Sequence, residues 1–448
     1  MLSLVWFRRD LRVHDHPALS RAAAEGPVLP VYIVDPVLLA PDETSERHIA
    51  FLGESLRALN EDLASLGQPL VLRVGDSLDV LARLVAKHRV TRIVTHPETG
   101  SLAARALVAR AGDWARGRGL DWLIVPESGA EPCAAPALAP VTEGTGVLPG
   151  ARALGFAASP CAFRQPGGRD AGLQMLETYL SVRGQGLPPT RATAPEAERS
   201  GARLSPYLSF GVLSSGEIRA SIARFRDAPD TTPERLAAAR LLTAQLKRRD
   251  TARAAPLAEP EGAPARGSWA SGETGLPFVD AAMRALIASG WLDHRSRALL
   301  AATGMQLHGL GAAAVGRHLA QMSTDHDPAI LWREMARAGQ GPILDPVATG
   351  RKLDPTGAFI RRWLPELRRV PDSHLHTPWF WPDARRALAG RYPEPVLDPA
   401  CAAREARALR ARMAPGRGRT GSRVLACDDP LIEGGFRAAR GPQMMLDL

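Results

Sequence analysis

The stretch Leu4-Val5-Trp6-Phe7-Arg8-Arg9-Asp10-Leu11-Arg12, continuing to Asp15-His16-Pro17-Ala18-Leu19, decides how the rest of the chain is read. Its apolar start fits a strand buried on both faces, which is how strands of parallel sheets read. The arginines and the aspartate then fall in a loop at the strand's carboxyl end, where they can pair with one another; for Arg8 and Arg9 the simplest role is to fasten two domains together. Asp15 and His16 before Pro17 form a cap-then-proline helix start.

Working outward, Val28 to Val34, Leu70 to Val74, Val90 to Thr95 and Trp122 to Val125 read as four further strands. Between them, Leu52, Leu56, Leu59, Leu63 and Leu66 recur on one helical face, and Leu78, Leu81, Leu84 and Val85 mark another helix. Strands alternating with helices predict an α/β, doubly wound, parallel five-stranded sheet, whose ligands sit beyond the strands' carboxyl ends. No GxGxxG or Walker A pattern follows any of these strands, which argues against dinucleotide dehydrogenases and P-loop enzymes. Three regions result: an α/β domain over 1–126, a Pro-, Ala- and Gly-rich connector over 127–170, and an all-helical domain over 171–448. A second breaker-rich stretch runs from Ala254 to Ser268, and no internal repeat is evident.

Composition narrows the partners. The net charge of +9 favours an anionic partner such as nucleic acid, yet only three of the 56 basic residues are lysines, a bias that a GC-rich genome produces equally well. Cys133, Cys161, Cys401 and Cys427 form no CxxC pair, so neither a disulfide framework nor a thiolate zinc site is expected, and a reduced cytoplasm is the default compartment. Charge within the first ten residues leaves no signal-peptide core. Ala298 to Val315 carries no charge but holds Gln306, His308 and three glycines; it reads as a buried helix or helix pair rather than a membrane span. Arg404, Arg407, Arg410, Arg412, Arg417, Arg419 and Arg423 read as a solvated helix end plus a Gly-Arg loop.

The opening block closely resembles the start of the photolyase/cryptochrome flavoproteins. Three more blocks follow in that family's order: Arg203-Leu204-Ser205-Pro206-Tyr207-Leu208-Ser209-Phe210-Gly211, Thr274-Gly275-Leu276-Pro277-Phe278-Val279-Asp280-Ala281-Ala282-Met283-Arg284 with Gly290-Trp291, and Asp354-Pro355 through Ile360-Arg361-Arg362-Trp363-Leu364-Pro365-Glu366-Leu367. The resemblance implies an antenna-type α/β domain, an all-α FAD-binding domain, and light-driven repair of pyrimidine dimers flipped out of DNA, the reaction of a deoxyribodipyrimidine photolyase-type lyase. FAD is the implied cofactor. The antenna chromophore is unknown, with His96-Pro97-Glu98-Thr99-Gly100 a candidate pocket loop. Damaged DNA is the implied partner, the chain is expected to act as a monomer, and neither metal nor membrane is implicated.

By the resemblance, cofactor contacts fall on Arg203, Leu204, Ser205, Arg297, Asp325, Asp327 and Leu331. Ser205 as N-cap and Pro206 at the first helical position would offer backbone N–H groups to a pyrophosphate. Arg297 and Asp325 stand where the family sets an arginine–aspartate pair against the flavin ring; Asp327 matches its second acid. His294, at the expected cavity mouth, and Trp332, which could partly stand in for the family's electron-carrying tryptophans, are the candidate catalytic residues; Lys247, Arg248, Arg249 and Arg295 are the candidate DNA contacts.

The sequence also departs from the family. Gly201 and Ala202 replace two hydroxyl residues, and Leu331 stands where most relatives face flavin N5 with a polar side chain. The tryptophan chain that feeds electrons inward is replaced by Met335, Ala312 and, roughly, Glu259. The best match to the family's lesion-contacting Glu and Trp is Arg240 and Thr243, and His294 and Ala298 replace an Asn and a Met. Three readings therefore stay open: a repair enzyme, a non-repairing cryptochrome-like blue-light receptor, and a degenerate scaffold with weak or lost flavin binding.

Overall fold

Five short strands form one parallel sheet in the order β3-β2-β1-β4-β5: β1 Ser3–Phe7, β2 Val28–Val34, β3 Val71–Val74, β4 Arg92–Thr95 and β5 Asp121–Ile124. Leu4 pairs with Leu29 on one side and Ile93 on the other, so the opening apolar run is the central strand, buried throughout. In the computed structural model the described residues are 1–40, 42–127, 132–185, 192–228, 231–255 and 258–413. Arg417, Arg419, Arg423 and Cys427 lie outside them.

Helices α1 Pro17–Ala24, α2 Glu46–Ser65, α3 Ser77–His88 and α4 Leu102–Gly117 alternate with the strands as the periodicity predicts. The α1 cap is His16, whose Nδ1 accepts from Leu19 N at 3.0 Å while Nε2 faces Asp10 Oδ2 at 3.1 Å. Residues 132–170 run over the sheet domain: Leu138 is buried, and Glu143 receives Arg73, Lys87 and His88.

The remaining described residues are helical. Those that build the site are α5 Arg169–Ser181, α6 Ser205–Ser209, α7 Pro233–Ala254, α8 Pro277–Ser289, α9 His294–Ala302, α10 Ala312–Met322 and α11 Pro328–Gln340. One core runs without a break from the sheet and α2 into α5, α6 and α7, while α8 to α11 close a second core around Phe278, Leu300 and Trp332. The uncharged stretch is a helix pair: α9 passes through a π-helical turn, Thr303–Leu307, and α10 follows. Among the described residues no helix is long and apolar enough to cross a membrane.

Of the opening arginines, Arg8 stays within its own domain, bonding Thr95, His96 O and Glu98, which corrects the expectation that it fastens the domains. Arg9 and Arg12 do cross: Arg9 Nη1 donates to His326 O at 3.4 Å and Arg12 Nη1 to Gly211 O at 3.2 Å. Gly211, at φ +65°, presses so closely on the Arg9 backbone that a Cβ would collide with its carbonyl oxygen. The final glycine of the 203–211 block therefore serves the domain contact.

The Thr274–Arg284 block is a structural staple. Asp280, fully buried, accepts from Thr274 N, Thr274 Oγ1, Gly275 N and Tyr392 Oη at 2.6–2.9 Å. Asp280→Ala leaves several buried donors unpaired and should destabilise the fold by roughly 2–4 kcal/mol, measured as a fall in the urea midpoint at unchanged slope.

Candidate functional site: a cavity with two arginine–aspartate pairs

Helices α6, α7, α9 and α11 enclose a cavity of about 310 Å³. The segment between α10 and α11 places both acids on its wall. Arg297, on α9, sends Nη2 to Asp325 Oδ1 and Oδ2 at 3.2 and 3.0 Å. Arg249, on α7, reaches Asp327 Oδ2 at 3.0 Å and Leu208 O at 2.9 Å, and Arg253 Nε lies 3.5 Å from the same carboxylate. Asp327 Oδ1 caps α11 through Ala329 N. Burial pushes the Asp327 carboxyl up, but Arg249 and Arg253 outweigh it and hold the group down at about 2.

Arg203, Leu204 and Ser205 also line the cavity. Arg203 takes a left-handed backbone, φ +54°, and its guanidinium lies 4.9 Å over the Trp291 ring. The cap expected at Ser205 falls one residue earlier, on Leu204. Ser205 is the first residue of a helix of five residues, followed by Pro206, which has no N–H to offer. Leu241, Leu242, Ile330 and Leu331 give the cavity an apolar wall.

His294 lines the cavity with its Nδ1 3.3 Å from Glu334 Oε1. Arg295 also lines it, donating Nη1 to Ala192 O at 2.9 Å. Trp332 does not. It is buried in the second core against Gly316 and Met335, which corrects a place beside a bound ligand but not its expected part as a stand-in electron carrier: on α11, Leu331 turns to the cavity and the next residue turns away. Arg249 is likewise corrected as a DNA contact, because it is buried against Asp327, out of reach of a duplex phosphate. Lys247 is exposed and Arg248 half-buried on the same helix. Arg240 and Thr243 are exposed and off the cavity wall; α7 presents Gln245 instead, with Arg248 three residues on.

Sequence reasoning missed Gln245, Arg253 and Glu334. The signal for the first was available: Leu241, Leu242, Gln245 and Arg249 follow helical spacing, so fixing Arg249 inward fixes Gln245 inward. Glu334 carries no such mark.

Residues 3–125 match the family model described as DNA photolyase, and residues 237–412 match that of the FAD binding domain of DNA photolyase. The chain belongs to the photolyase/cryptochrome family. A deoxyribodipyrimidine photo-lyase of Streptomyces griseus is 28% identical over 455 residues, covering 89% of this chain and 96% of that protein. A cryptochrome DASH of Natronomonas pharaonis is 29% identical over 471 residues, covering 88% and 98%. A Synechocystis cryptochrome structure superposes with a TM-score of 0.80 at 21% identity, covering 91% of this chain and 99% of that one, and so shares the fold.

The cavity residues fit FAD. Among the described residues, Arg203 Nε and Arg297 Nε are buried without a hydrogen-bond partner, two donors on the lining of one hollow left for an anionic or carbonyl-bearing ligand.

The Asp327 carboxylate stabilises the fold only while ionised. Because its folded value lies below that of a free carboxylate, the contribution is complete above about pH 4 and is lost as pH falls toward 2. Asp327→Asn should therefore be less stable than wild type at neutral pH, with the gap in unfolding free energy narrowing across that acid window; urea unfolding over a pH series measures it.

Proposed function

We propose that the chain is a light-driven DNA repair flavoenzyme of the photolyase type, acting on pyrimidine dimers. The observation that supports it best is the convergence of the Arg297–Asp325 and Arg249–Asp327 pairs on one largely apolar cavity in the FAD-binding domain. FAD, when bound, supplies the electron that light releases to the dimer. The chain's part is to bind and to shield. Arg297 and Asp325 hold the ligand with fixed charge, Arg203 over Trp291 offers a further cation, and the leucine wall keeps water from the cavity. His294 and Gln245 are the polar, cavity-lining groups placed to meet an incoming base.

Blue light and a chemical reductant, given to the flavin-loaded protein with dimer-containing DNA, should restore intact pyrimidines, measured by chromatography of the digested DNA. A yellow protein that leaves every dimer in place overturns repair. It would favour instead the non-repairing receptor reading, which the apolar Leu331 on the cavity wall supports. Colourless protein after FAD supplementation would favour the degenerate scaffold.

For DNA itself, Lys247→Ala and Arg248→Ala should weaken binding of all sequences alike and reduce the salt slope by about one per lost phosphate contact. An unchanged slope in a filter-binding titration places these charges away from the duplex.

A further inference from the structure

The segment that carries Asp325 and Asp327 is held from outside its own domain. Ser45 Oγ donates to Gln321 O at 2.6 Å, Arg47 Nη1 to Met322 O at 2.7 Å and His48 Nε2 to Ser323 O at 2.7 Å. Three consecutive carbonyls are thus taken by the start of α2, in the α/β domain. Further along, Arg9 Nη1 donates to His326 O at 3.4 Å, and His326 Nε2 donates to Glu43 Oε2 at 2.8 Å.

His326 stands between the two acids, and its ring turns away from them toward Glu43; both side chains are about 95% buried. It lines the large cavity and also a crevice of about 70 Å³ at the carboxyl ends of β1, β2 and β4; among the described residues no other lines both. Burial pushes the Glu43 carboxyl up, but His326, Arg317 and Arg9 hold it below the ordinary carboxylate range, so it is an anion. Pulling the middle of three residues outward fixes the backbone from which its two neighbours project.

We propose that Glu43, acting through His326, is a positioning residue for the cofactor site: it sets how Asp325 and Asp327 face the cavity, and so makes the α/β domain a determinant of flavin affinity. The inference rests on the reading of the cavity as a flavin site. Glu43 touches neither cofactor nor substrate in this scheme; its effect reaches the cavity through one imidazole and two peptide units.

The test is a double-mutant cycle in the full chain with Glu43→Gln and His326→Gln, titrating FAD by quenching of its fluorescence and recording the visible circular dichroism of the bound flavin. Glu43→Gln keeps an acceptor for His326 but removes its charge, and should weaken FAD binding roughly tenfold, near the lower end for what a charged hydrogen-bond partner contributes. It should also alter the dichroism. In the His326→Gln background it should do neither, because the route is already cut. Equal affinity for wild type and Glu43→Gln overturns the proposal, as does the same loss in both backgrounds, which marks a structural effect by another path. Wild-type protein that takes up no FAD overturns the flavin reading and this inference with it, whereas wild-type binding with no Glu43 effect overturns the inference alone.

Discussion

Two carboxylates on one short segment, each clamped by an arginine from a different helix, are the constraint to which the helical domain conforms. A buried carboxylate without its partner is costly, by about 3–5 kcal/mol when one side of such a pair is removed. Asp325 and Asp327 therefore dictate where α9 and α7 lie, since Arg297 and Arg249 must arrive within hydrogen-bonding distance. The constraint spreads further. Arg253, one turn beyond Arg249, also pairs with Glu127 at the start of the connector, and Asp327 caps α11. Connector and two helices thus meet around a single acid, Asp327.

That arrangement explains what the sequence disclosed and what it hid. The sheet was legible because strand runs and helical periodicity are local, and the central place of Leu4–Phe7 follows from an apolar run with no polar alternation. The clamp itself could be named only through the family resemblance, since Arg297 and Asp325 are 28 residues apart and nothing local joins them. Arg249 shows the failure in reverse. Beside Lys247 and Arg248 it reads as one basic patch, yet consecutive helical residues point about 100° apart, and the third of them turns inward to Asp327. Trp332, one residue beyond the cavity-facing Leu331, turns into the core by the same rule. Glu43 and His326, far apart in sequence, gave no sign of meeting.

The opening motif divides its labour in a way that composition alone does not convey. Arg8 and Glu98 belong to the sheet's own loops, whereas Arg9, Arg12 and Arg47 each give at least one donor to a carbonyl of the helical part. Arginine suits this because its planar fork satisfies several backbone acceptors at once and stays charged when buried. Much of the basic excess that suggests nucleic acid is thus engaged inside the molecule, which lowers the weight that net charge carries in any argument about DNA.

Gly201 and Ala202 look from sequence like lost phosphate ligands, but the structure shows what took their room. A Cβ on Gly201 would lie 2.7 Å from Ala197 O, too close unless the preceding helix end shifts, and in ordinary contact with the Trp291 ring 3.4 Å away. Trp291 in turn supports the Arg203 guanidinium, an arrangement that requires Arg203 to adopt a left-handed backbone costing about 1–2 kcal/mol. A cation over an aromatic face returns about 0.5–2 kcal/mol, rising as the site is desolvated. The exchange is therefore near balance without a ligand and becomes favourable when an anion fills the hollow and neutralises Arg203.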